Sequence, residues 1–136
     1  MRLPRVPEAE LDVLVQLRRA GEATASEIGR ALAERRPMAH GSVLTLLGRL
    51  ETKRLVARRR GPIGKAFVYR ATERAEGALE HLVDSFVRRV FEGDSMNFVA
   101  SLLARRPTSA REIEHLESVL AELKARRTPR ARKGSA

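Results

Sequence analysis

The chain has no cysteine. That absence excludes disulfides and thiolate metal sites, and it fits a cytoplasmic protein. Tryptophan is missing too, and aromatics are only 4% of 136 residues, so any core must be mainly aliphatic. No apolar run approaches the roughly 20 residues that span a bilayer, and the N-terminus lacks the apolar stretch of a signal peptide. Membrane insertion is therefore not expected. Acid is scarce at both ends. Residues 1–71 carry 15 Lys/Arg against 7 Asp/Glu, residues 72–123 carry 6 against 10, and residues 124–136 carry 6 against none. The net charge of +10 thus sits in a basic front and a basic tail. Such a distribution suits a polyanion that meets only part of the chain. A membrane surface is the competing polyanion, but no basic amphipathic helix with large aromatic anchors occurs.

What is present reads as helices with one basic hairpin. Pro7-Glu8-Ala9-Glu10 opens a first helix with Leu11, Leu14, Val15 and Leu17 inward, and Gly21 stops it. Thr24-Ala25-Ser26-Glu27 matches a capping box, and Ile28, Ala31 and Leu32 supply the inner face of a second helix. Pro37 closes that region. A third helix runs from about Ala39 to Lys53, with Val43, Leu46, Leu47 and Leu50 at i, i+3, i+4, i+7. Val56 to Arg60 and Ala66 to Arg70 are short strands around the turn-rich tip Gly61-Pro62-Ile63-Gly64. Three helices and a hairpin make one unit, residues 1–71.

Residues 72–127 are helical again. Leu79, Leu82, Val83, Phe86, Val87, Val90 and Phe91 keep helical spacing until Gly93. Ser95 to Ala104 is a short apolar helix, and Ser109-Ala110-Arg111-Glu112 caps a last one bearing Ile113, Leu116, Leu120 and Leu123. About 55 residues are marginal as a lone core, so burial against a second copy in a two-fold dimer is expected. Leu79, Leu82, Val83, Phe86, Val90, Phe98, Leu102, Leu116 and Leu120 are its candidate dimerisation residues. The alternative is packing on the front unit. Residues 128–136 read as a basic disordered tail.

The fold class expected is mainly α with a small β-hairpin: a winged helix-turn-helix domain followed by a helical dimerisation region. A winged helix meets DNA with a polar helix face and a basic hairpin. On the third helix Ser42, Thr45, Arg49 and Lys53 face away from the apolar stripe, and hydroxyls and arginine suit base edges and phosphates. His40 stands where that helix starts. Alternation sends Arg58 and Arg60 to one side of the hairpin and Arg59 to the other, with Lys65 near the tip. Thr24 and Ser26 can donate to phosphate from the start of the second helix, although capping alone explains Thr24. The bland counterpart for all of these is a solvated face. His81 and His115, even with Glu76 and Glu80, show no ligand spacing, so no metal is expected, nor any cofactor. No nucleophile–base pair, phosphate-cradling loop or carboxylate dyad occurs, so catalysis is not expected. A different function class is also open: a winged-helix module whose basic face binds an acidic protein.

Thr24-Ala25-Ser26-Glu27-Ile28, Ser42-Val43-Leu44-Thr45-Leu46-Leu47-Gly48-Arg49-Leu50 and Gly64-Lys65-Ala66-Phe67-Val68-Tyr69 together resemble the BlaI/MecI-type penicillinase repressors. The resemblance covers roughly residues 7–125. It implies a homodimer that binds a palindromic double-stranded DNA operator, represses transcription of antibiotic-resistance genes, and is relieved when a membrane sensor protease triggers cleavage. Asn97-Phe98 lies where some relatives are cut. Leu44 departs from the lysine many relatives carry, and Arg54 from a glycine.

Overall fold

A computed structural model describes residues 5–62, 66–106 and 108–135, with backbone alone for 128–135. The first compact unit extends through Phe86 and the second begins at Val87.

The first unit is built on helix packing. Helix α1 (Glu8–Ala20) ends where Gly21 takes φ 84, a left-handed conformation costly for other residues. It buries Val13, Leu14 and Leu17. Strand β1 (Glu22–Ala23) follows, then α2 (Ala25–Leu32). The capping box forms as expected. The Glu27 amide donates to Thr24 Oγ1 at 3.2 Å, and the Thr24 amide donates to Glu27 Oε1 at 2.8 Å. The Thr24 amide holds the Glu27 carboxyl below its usual range. Ile28 and Leu32 point inward, but Ala31 is exposed and Ala25 is buried in its stead. Helix α3 (His40–Thr52) buries Val43, Leu47 and Leu50 completely.

Strands β2 (Val56–Arg60) and β3 (Phe67–Ala71) pair antiparallel, with Arg58 opposite Tyr69 and Arg60 opposite Phe67. Strand β1 adds to the free side of β3, giving the order β1-β3-β2. Its two residues are too short to leave a periodic signal. Helix α4 (Glu73–Phe91) places Ala75, Ala78 and Leu79 in the same core as α1–α3, Leu55, Val56 and Tyr69. The first unit therefore runs past residue 71, the limit suggested by the sequence pattern. Leu79 is 9% exposed, so it belongs to this core and is withdrawn from the dimerisation set.

Arg54 has φ 65 in the turn between α3 and β2. That left-handed position costs a side-chain-bearing residue about 1 kcal/mol more than glycine. Glycine would take this turn without that cost.

In the second unit Gly93, at φ 84, follows the end of α4. Helix α5 (Ser95–Ala104) is capped by Asp94, whose Oδ1 accepts from the Asn97 amide at 3.0 Å. Helix α6 (Ala110–Ser135) starts at the second capping box, where Ser109 and Glu112 exchange bonds of 3.0 and 3.1 Å. Its backbone stays helical through Ser135, where composition suggests a disordered tail. Alanine, arginine and lysine in that stretch are good helix formers.

Candidate nucleic-acid interface

Helix α3 divides cleanly by phase. Val43, Leu47 and Leu50 fix its inner stripe, and a turn of 100° per residue then puts Ser42, Leu44, Thr45 and Arg49 outside, all exposed, while His40 is exposed because it opens the helix. The Thr45 hydroxyl donates back to the Gly41 carbonyl at 3.0 Å. Its proton is used within the helix, so Thr45 offers acceptor lone pairs and a methyl group to anything outside. Ser42, Thr45 and Arg49 line an open cleft with Arg36, Pro37 and Met38. A second cleft lies between α3 and the wing, lined by Thr24, Ser26, His40, Leu44, Phe67 and Tyr69 among others. The segment between α2 and α3 is tied to α1: Arg36 Nε lies 2.5 Å from Asp12 and its Nη2 3.3 Å from Glu8.

The basic side chains fall into distinct classes. Arg59 bonds Glu22 at 3.0 Å, holding that carboxyl below its usual range and its own guanidinium above. Arg58 reaches Glu51 at 3.2 Å and stacks 4.2 Å above the Phe67 ring centroid. Arg60, on the same side, is 5.9 Å from that centroid and exposed. Arg49 is exposed on α3. Lys65 lies outside the described residues.

Lys53 needs correction as a DNA contact. Its Nζ pairs with Glu10, whose side chain is 3% exposed, and donates to the Arg5 carbonyl at 2.7 Å. It is committed to neutralising a buried carboxylate. Lys53 is the C-cap of α3 and keeps helical backbone angles, but its long side chain reaches Glu10 of α1. Lys53→Ala leaves Glu10 buried and unpaired, so stability should fall by roughly 3 kcal/mol. Urea denaturation measures it; an unchanged midpoint refutes the buried pair.

Two residues with a place at this surface were not among the sequence candidates. Leu44 is 43% exposed and Phe67 37%. Leu44's phase, one residue off the inner stripe, was the available signal. Phe67's was its position directly across from Arg60.

The second unit presents a different surface. Among its described side chains none is fully buried. Val90, Val99, Leu102, Leu103, Ile113 and Leu120 are all exposed, while Phe98 is half-buried with its ring 5.2 Å from that of Phe91. Leu82, Val83 and Phe86 of α4 are exposed as well, and Leu116 is half-buried. No described helix is long and apolar enough to cross a membrane.

The penicillinase repressor family profile matches residues 6–122. No match was found among curated proteins. Among solved structures, the fold is similar to wild-type MarR from E. coli in its apo form, at 22% identity and TM-score 0.52, over 87% of this chain and 77% of that one. It is also similar to a mutant E. coli MarR complexed with operator DNA, at 21% identity and TM-score 0.52, over 87% and 75% of the two chains. A probable transcriptional regulator from Pseudomonas aeruginosa shares 22% identity at TM-score 0.51, over 87% and 78%. At these identities the likeness speaks for a shared winged-helix fold.

Proposed function

Since the chain belongs to the penicillinase repressor family, DNA-binding transcriptional repressors of winged-helix fold rather than enzymes, we propose that it acts as a homodimer on a palindromic operator. One winged unit engages each half-site, and the helices from α4 onward join the two copies. The observation that carries this is the exposed face of α3, with Ser42, Thr45 and Arg49, beside a hairpin bearing the exposed Arg60. Thr24, Ser26, His40 and Arg58 are assigned to the rim of that interface, and Lys65 is assigned a phosphate contact from the sequence alone. The unburied apolar residues of α4, α5 and α6 support the dimer, since a single copy leaves them in water.

Finer assignments rest on the family alone. The genes controlled belong to the response to β-lactams or related stress, the protein works in the cytoplasm, and a membrane sensor protease relieves repression through cleavage at Asn97-Phe98. That bond lies in the first turn of α5 under the Asp94 cap. Cleavage there requires the turn to open, because a protease needs extended backbone.

Base reading and phosphate docking respond differently to mutation. Thr45→Ala or Arg49→Ala should cut discrimination between operator and scrambled DNA by ~1–3 kcal/mol. Lys65→Ala should weaken both DNAs alike. Fluorescence anisotropy on the two duplexes measures this. Equal losses for Thr45 and Arg49 move them to the phosphate class. Failure of random-duplex selection to return a two-fold symmetric site overturns the operator reading in favour of an acidic protein partner.

A further inference from the structure

We propose that Leu44 is a specificity-determining residue, whose side chain meets the 5-methyl group of a thymine in the major groove. This rests on the reading of α3 as the DNA-facing helix. The inner stripe of α3 is already filled by Val43, Leu47 and Leu50, each 0% exposed, so the core does not claim Leu44. Among the described residues up to Ala71, the large hydrophobic side chains most open to solvent are Leu44 at 43% and Phe67 at 37%. Phe67 carries the Arg58 guanidinium over its ring. Leu44 instead stands on the helix surface between Gly41, three residues before, and Gly48, four residues after.

Those two glycines shape the approach. A Cβ at either would meet nothing within 4 Å, so the space beside the helix is open there. Leu44 therefore protrudes from a low-walled strip, where a base edge can come close to the backbone. Beside it, Thr45 has turned its hydroxyl proton back to Gly41, leaving its methyl as an outward apolar group. The result is a small apolar strip on α3, with Leu44 on the side of the cleft lined by Thr24, Ser26 and His40, and Thr45 on the side of the cleft lined by Ser42 and Arg49. Base edges in the major groove are hydrogen-bond donors and acceptors with one apolar exception, the thymine methyl. An apolar patch continuous with polar contact residues selects for that group. Leucine has no hydrogen bond to offer the other bases, and it desolvates their polar edges at a cost.

The experiment uses the full chain. An operator is selected from random duplexes, and each of its thymines is replaced in turn by deoxyuridine, which pairs identically but lacks the methyl. One thymine per half-site should be sensitive, at about fourfold in affinity per methyl, or about fifteenfold when both half-sites are changed. Leu44→Ala should bind the thymine operator more weakly and become indifferent to the same replacement. Leu44 is exposed, so this variant should keep the thermal midpoint of the wild type. If no thymine is sensitive, or if Leu44→Ala keeps the full penalty, the assignment of Leu44 is wrong while the operator reading stands. If the wild-type protein selects no duplex at all, the DNA-facing reading of α3 fails and Leu44 falls with it.

Discussion

A Phe98→Asp protein should sediment as a monomer and lose operator affinity by about two to four orders of magnitude. Phe98 is half-buried, and its ring packs 5.2 Å from Phe91 at 59°. The neighbouring faces carry Val90, Leu102 and Leu103, all exposed in a single copy. In the proposed dimer these surfaces close on their symmetry mates. A carboxylate placed there without a partner costs on the order of several kcal/mol, comparable to what a small interface provides. Dissociation leaves each winged unit to bind one half-site alone. The avidity of a tethered pair, roughly 10²–10⁴, then disappears. The winged unit itself should remain folded, because its core of Val13, Leu14, Leu17, Ile28, Leu32, Val43, Leu47 and Leu50 is built without Phe98. Sedimentation velocity and anisotropy on one sample decide the matter. A tight dimer with full operator affinity would remove Phe98 from the interface and deprive cleavage at Asn97-Phe98 of its mechanism.

Operator affinity should also collapse with salt. With roughly 6–10 phosphates neutralised per dimer, log K against log salt should slope at about −5 to −9, a fall of ~10³–10⁵ between about 50 and 200 mM. The ion pairs refine which residues contribute. Arg60 is exposed, so Arg60→Ala should make the slope shallower by about one unit for each phosphate that Arg60 neutralises. Lys53 and Arg59 are neutralised by Glu10 and Glu22. Arg59→Ala should leave the slope nearly unchanged. Titrations at four or five salt concentrations give the values. A slope near zero rules out electrostatic docking, and an Arg59 effect equal to that of Arg60 shows that the Glu22 pair opens on DNA.

Much of the fold was legible because it rests on local rules. Two capping boxes, glycine stops at Gly21 and Gly93, and the i, i+3, i+4, i+7 stripe of α3 each act over a few residues. They leave their mark regardless of tertiary context. Strand β1 was invisible for the opposite reason. Glu22 and Ala23 are extended only because the edge of β3 accepts them, with Glu22 opposite Arg70. Ala31 is exposed because, at 100° per residue, it stands about 60° from Ile28 and about 100° from Leu32, at the edge of the inner face of a helix barely two turns long.

The helical periodicities, the basic winged unit and the outward set Ser42, Thr45 and Arg49 follow from charge and phase, which are written along the chain. What each cation can reach depends on which carboxylates the fold brings beside it. Lys53 and Arg59 look as available as Arg49 and Arg60 along the chain. Folding brings Glu10 of α1 to the first and Glu22 of β1 to the second, and a phosphate must then compete with that carboxylate. Folding likewise decided that Leu79 fills a core while Leu44 stands in water. Burial depends on what the rest of the chain leaves uncovered, and a helical repeat alone does not encode that.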